Sequence, residues 1–101
     1  MKNQTYIIKS KLDSKVLFKT NARSLKEAVE IAVKKGVNLS GANLEGIELC
    51  GANLAGAKLD EASLQNSNLS RANLKGSSLD SADMSGANIS GADLSLSIGI
   101  Q

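Results

Sequence analysis

Ala52-Asn53-Leu54-Ala55-Gly56-Ala57-Lys58-Leu59-Asp60-Glu61-Ala62-Ser63-Leu64 sets a leucine at every fifth position. The spacing continues on both sides without a break, through Leu39, Leu44, Leu49, Leu54, Leu59, Leu64, Leu69, Leu74, Leu79, Met84, Ile89 and Leu94. Two residues before each stands a small or apolar side chain, from Val37 and Ala42 to Ala87 and Ala92. Such a period fits neither the 3.6 of a helix nor the 2.0 of a flat strand. It requires a chain that turns a corner every five residues and buries one aliphatic side chain per segment. Those twelve aliphatics are the expected structural core.

The unit that recurs is A-N/D-L-S-G, as in Ala42-Asn43-Leu44 and Ala87-Asn88-Ile89-Ser90-Gly91. In this the stretch 37–96 resembles the pentapeptide repeat family. The resemblance implies an all-β solenoid: a right-handed quadrilateral β-helix with one pentapeptide per side and four per coil, hence about three coils. Residues twenty apart would then stack, giving inner ladders such as Leu44–Leu64–Met84 and Leu49–Leu69–Ile89. Backbones ~4.8 Å apart make such a stack on the order of 15 Å tall. Glycine recurs two positions after the central residue, as at Gly41 and Gly51. A tight corner favours its backbone freedom there. No P-loop lysine-serine pattern accompanies these glycines, so they read as corners and not as a phosphate cradle.

Upstream the period changes. Tyr6 to Thr20 alternates as a β-hairpin around a turn at Asp13-Ser14-Lys15. That register sets Leu12 against Val16, Ser10 against Phe18 and Ile8 against Thr20. Tyr6, Ile8, Leu12, Val16 and Phe18 would share one apolar face, with Lys9, Lys11, Lys19, Ile7 and Leu17 on the other. A helix should follow, capped by Ser24 with Glu27 three residues on. Its apolar stripe is Leu25, Ala28, Val29, Ala32 and Val33, and Gly36 is the expected terminator. A lone hairpin and one short helix are not stable alone. They are expected to lie on the front of the repeat stack, in a division of 1–36 cap, 37–96 β-helix and 97–101 tail. This N-terminal segment resembles an extension found on some bacterial and phage members of the family.

Composition bounds the function. The 101 residues contain no histidine, proline or tryptophan, and Cys50 is the only cysteine. An intrachain disulfide is therefore excluded, and the commonest general base is missing. Serines such as Ser63, Ser70, Ser78 and Ser85 occupy outward repeat positions without a paired base. Cys50 follows a central leucine and should face outward as an incidental thiol. Metal ligands are not clustered in the sequence. No catalytic, cofactor or metal site is expected, and the chain reads as a non-enzyme. No run approaches ~20 apolar residues, and the first residues lack a secretory pattern, so a cytoplasmic protein without membrane contact is the expectation.

Charge is split. Residues 1–36 hold nine Lys/Arg and three Asp/Glu, a balance of +6; residues 37–101 hold three and seven, a balance of −4. Asp60 and Asp80, twenty apart, would stack as an acidic strip. The basic hairpin face lacks the stacking aromatics of a nucleic-acid platform, so direct nucleic-acid binding is not expected. The tail alternates Leu94, Leu96, Ile98, Ile100, a strand-like apolar edge through which two copies could form a homodimer. Two functions compete. One is a rigid scaffold whose outer faces bind an unknown protein partner. The other, implied by the family resemblance, is a DNA mimic that inhibits gyrase, topoisomerase or a nuclease. Three coils are short for the second, and the central phenylalanines and C-terminal helix of resistance-type members are missing.

Overall fold

The computed structural model describes residues 3–99. Ile100, one of the expected dimer contacts, and the extreme ends of the cap and tail segments lie outside the described residues. Two antiparallel strands come first, β1 (Gln4–Lys9) and β2 (Val16–Ala22), followed by one helix, α1 (Leu25–Lys34).

The hairpin register differs from the one expected. Ile8 pairs with Phe18 and Tyr6 with Thr20, while Lys9 pairs with Val16, so Leu17 is skipped as a bulge. A bulge adds a residue and re-aims its neighbours. Here it lets Leu17 and Phe18, consecutive in sequence, both pack against the core. The connection is longer than three residues, running from Ser10 to Lys15, and is closed by the Ser10 N–H on the Lys15 carbonyl at 2.8 Å. Leu12 and Val16, expected on the apolar face, are instead 87% and 52% exposed.

Helix α1 starts and stops as its sequence dictates. The Ser24 hydroxyl oxygen accepts from the Glu27 N–H at 3.1 Å. The Glu27 carboxylate reaches back one residue further than a standard capping box, to the Arg23 N–H at 2.8 Å. At the other end Val37 N–H bonds Ala32 O and Gly36 N–H bonds Val33 O, with Gly36 at φ +74. That pair of bonds is a Schellman motif, which needs a left-handed residue at this point. Ala28, Val29 and Ala32 are fully buried, while Leu25 at the edge of the stripe is 37% exposed.

From Val37 onward no continuous strand forms among the described residues. Single parallel bridges instead join residues twenty apart: Asn38 to Lys58, Asn43 to Ser63, Glu48 to Asn68 and Asn53 to Asn73, then Lys58 to Ser78 and on to Ser78 with Ile98. Every parallel bridge but the first, Asn38 to Lys58, is two-sided. Leu44 N–H donates to Ser63 O and Ser63 N–H to Ala42 O, both at 2.8 Å. Between bridges the chain turns. A bond from the residue three after each central aliphatic returns to its carbonyl, as from Ala52 N–H to Leu49 O at 3.0 Å. The third turn residue has positive φ in every repeat, from Gly41 to Leu96, the signature of a type II turn. Strands stay one bridge long because only a few extended residues fit between corners.

Nine central leucines, Leu39 to Leu79, are buried in one cluster with Ile8, Val29 and Ala32 of the N-terminal segment. Backbone bonds tie that segment on. Lys11 N–H reaches Gly41 O at 2.9 Å, Asn43 N–H reaches Lys9 O at 2.8 Å, and Ser10 bridges Ala42 in antiparallel sense. On another side the Glu30 carboxylate accepts the Asn53 N–H at 2.8 Å. The first turn of repeats thus has edge groups satisfied by the hairpin and the helix.

Candidate interaction surfaces

The outer surface is built from the residue just before each central aliphatic and the residue just after it. The bridges sort these into four columns. One holds Asn38, Lys58 and Ser78; the next Asn43, Ser63 and Asp83; the third Glu48, Asn68 and Asn88; the fourth Asn53, Asn73 and Asp93.

Asparagine and aspartate are frequent in these columns for a local reason. Their side-chain oxygen accepts the N–H two residues on, at 2.9 Å from Ser40 to Asn38 and 3.0 Å from Ser70 to Asn68, from Lys75 to Asn73 and from Ser90 to Asn88. This Asx turn holds the chain just before the corner. Its signal was present in the recurrence of Asn or Asp there at Asn38, Asn43, Asn53, Asn68, Asn73, Asp83, Asn88 and Asp93.

Two carboxylates gain from the same geometry. The Ser85 hydroxyl and N–H hold the Asp83 carboxyl below the usual aspartate range, helped by the Gln65 amide and the nearby Lys11 charge. Asp93 is lowered by the Ser95 hydroxyl and N–H, with Lys75 beside it. In the hairpin connection, Asp13 is lowered by the Lys15 N–H and the Ser10 hydroxyl.

Asp60 and Asp80 lie on one side of the stack. The Asp60 carboxylate is turned along the column, where it accepts the Asp80 N–H at 2.9 Å and the Ser78 hydroxyl. Cys50 is half-buried, and the Ser70 hydroxyl donates to its Sγ at 3.3 Å. Among the described residues no three His, Cys, Asp or Glu side chains cluster to hold a metal ion. No helix of the described residues is long and apolar enough to cross a membrane.

Inside the stack one hydroxyl stands out. Ser67 is 2% exposed and its Oγ has no hydrogen-bond partner. Its inward-facing counterpart Ser77 has one, because its hydroxyl meets that of Ser97 at 3.2 Å.

The last turn of repeats is unlike the others. Met84 and Leu94 are only half-buried and Ile89 is 44% exposed. Period alone placed all three in the core. They differ from Leu64, Leu69 and Leu74 because no further repeat lies over them among the described residues. A half-open cavity of about 650 Å³ results, lined by Leu79, Ala82, Met84, Ala87, Ile89 and Leu94 among others. Leu96 and Ile98, expected at a dimer contact with Leu94, are 77% and 63% exposed. Ile98 still bridges Ser78, and Gly99 closes so tightly on the stack that a Cβ there would sit 2.4 Å from the Asp80 backbone.

Residues 35–70 and 57–95 match the family model described as Pentapeptide repeats, in eight copies. Among solved structures, alr5209, a pentapeptide repeat protein from Nostoc PCC 7120, is 26% identical, over 70% of this chain and 72% of that one, with a TM-score of 0.29. HetL, a pentapeptide repeat protein involved in heterocyst differentiation regulation in the cyanobacterium Nostoc sp. strain PCC 7120, is 34% identical. That match covers 62% of this chain and 36% of HetL, with a TM-score of 0.23. At such scores the superpositions decide nothing, and membership rests on the repeat match. No curated protein sequence matches the chain.

Proposed function

The chain belongs to the pentapeptide repeat family, and from that premise we propose that it is a non-enzymatic cytoplasmic scaffold whose outer columns dock a protein partner. In this reading residues 37–96 wind as a right-handed quadrilateral β-helix of three coils, as the family implies, with 1–36 as its cap and 97–101 as its tail. One observation carries the proposal. Each outward side chain stands on a backbone held by a bridge, a corner bond and often an Asx turn. Such a grid costs little further ordering when a partner binds, and preorganisation is where affinity is gained. Repeat stacks present extended binding surfaces in this way.

Four charge reversals, one per column, test the proposal: Glu45→Lys, Glu48→Lys, Lys58→Glu and Lys75→Glu, all at exposed positions. Affinity capture from native host extract is the assay. One or two neighbouring columns should lose capture of a common partner by about tenfold, the ~1.4 kcal/mol of a modest hot spot, with unchanged melting temperatures. Equal capture by all four variants contradicts the proposal. The DNA-mimic reading draws on Asp60, Glu61 and Asp80 sharing one side. Lys58 stands on the same side, and the Asp60 carboxylate is engaged by its own column. A gyrase supercoiling assay without inhibition at large excess removes that target.

A further inference from the structure

The end of the stack beyond Leu79 combines four features that point to one kind of occupant. The first is an open backbone edge. Leu64, Asn66, Leu69, Arg71 and Leu74 each donate their N–H to a residue nineteen further on. Among the described residues the N–H groups of their counterparts Met84, Gly86, Ile89, Gly91 and Leu94 make no backbone bond, and no backbone N–H donates to the carbonyls of Ala82, Ala87 and Ala92. Unpaired edges of this kind are templates for another chain.

The edge is also self-complementary. A two-fold axis across the end of a stack reverses chain direction, so facing segments run antiparallel. On each side one outward carbonyl precedes one outward N–H by two residues, as at Ala82 and Met84. Two such segments set antiparallel exchange both bonds around the residue between them, as ladder pairs do.

Apolar exposure is the third feature. Ile89, which lines the half-open cavity, is 44% exposed, and Leu96, at the corner after Leu94, is 77% exposed. Leu96 also sits at φ +59, a left-handed conformation that bulky residues avoid. An exposed leucine in that conformation, at a corner where seven other repeats have glycine, gains nothing in the isolated chain. Covering it removes its exposure.

Charge selects the axis. The side columns of this last turn carry Asp83, Asn88, Asp93 and Ile98 in order. An axis through opposite sides sets acid against acid, Asp83 on Asp83 or Asp83 on Asp93. An axis through opposite corners sets each acid against Asn88 or Ile98 instead. Like charges directly opposed are unfavourable, so the corner axis is the one the sequence permits.

The geometry points to a second copy of this chain, docked end to end about a corner two-fold axis, as the occupant of the open end. Size sets its strength. Three extended residues span a backbone side of about 10 Å, which outward side chains widen to about 20 Å. Two such ends bury on the order of 1,000 Å² in total, the lower bound for a specific interface. The dimer should therefore be weak.

Sedimentation velocity of the full chain from about 1 to 300 µM tests this. A monomer–dimer equilibrium with a midpoint in the tens of micromolar is expected, in the range that separates weak from tight complexes. Ile89→Lys should weaken it at least tenfold. Leu96→Gly should also weaken it while raising the melting temperature, so unfolding cannot be the cause. A monomer throughout, species larger than a dimer, or undiminished association by both variants overturns the inference. A monomer would mean that another partner covers the end, and it leaves the scaffold reading of the sides standing.

Discussion

At the scale of single residues the corners repeat one backbone shape with unequal side chains. Gly51 and Gly76 adopt positive φ freely, but Glu61, Arg71, Ser81 and Leu96 are held at φ near +60. A non-glycine residue there costs ~1–2 kcal/mol, offset in part by the ~0.5–1 kcal/mol that glycine's flexibility costs the folded state. Arg71→Gly should therefore stabilise the fold by about 0.5–1 kcal/mol in thermal or urea melts. Gly51→Ala should cost a similar amount, through backbone strain alone, because an added Cβ meets nothing within 4 Å. The buried, unpartnered Ser67 hydroxyl gives a second test. Leaving such a group unsatisfied costs ~1–3 kcal/mol, so Ser67→Ala should raise the urea midpoint. A lowered midpoint would mean that the hydroxyl has a partner after all.

At the scale of elements, burial separates repeats that look alike in sequence. Leu64 is buried between two neighbouring turns of repeats, whereas Ile89 has a neighbour on one side only. Leu64→Ala should cost about 2–5 kcal/mol. Ile89→Ala, read on dilute protein, should cost much less, and equal losses would contradict the stacking order. In α1, Ser24→Ala should cost about 1 kcal/mol through loss of the Glu27 N–H acceptor. The helix was legible residue by residue, because caps and an apolar stripe are local signals. The hairpin register was not. Ile8 faces Phe18 because a bulge at Leu17 serves the core beneath it, and alternation within the strands carries no record of that core. For the same reason Met84, Ile89 and Leu94 could not be told from Leu64 or Leu69 by period. Their exposure depends on what lies over them. The Asx turns were visible as a recurring Asn or Asp, but only the bond to the following N–H explains the choice.

At the scale of the whole molecule, charge links stability to pH. Asp83 and Asp93 are held below the ordinary aspartate value of 3.8 by hydrogen bonds from Ser85 and Ser95. A carboxyl lowered in the folded state contributes stability that is present above its unfolded pKa and is lost as pH falls through the folded one. The melting temperature should thus fall as the solution is taken below about pH 4, where unfolded aspartates begin to bind protons. The double variant Asp83→Asn, Asp93→Asn should show a shallower fall. Salt should change that difference little, because neighbouring hydrogen bonds and not distant charges are the main cause of both shifts.

Amide hydrogen exchange on the folded chain reaches the central claim most directly, because the N–H groups of Leu54, Leu59, Leu64, Leu69 and Leu74 are each bonded to a residue nineteen further along. These five should be protected by several orders of magnitude relative to the unbonded N–H groups of Met84, Ile89 and Leu94 in dilute solution. Exchange of the five as fast as at Ile89 would mean that the repeats do not stack every twenty residues, and the core and the outer columns would both fall with that result.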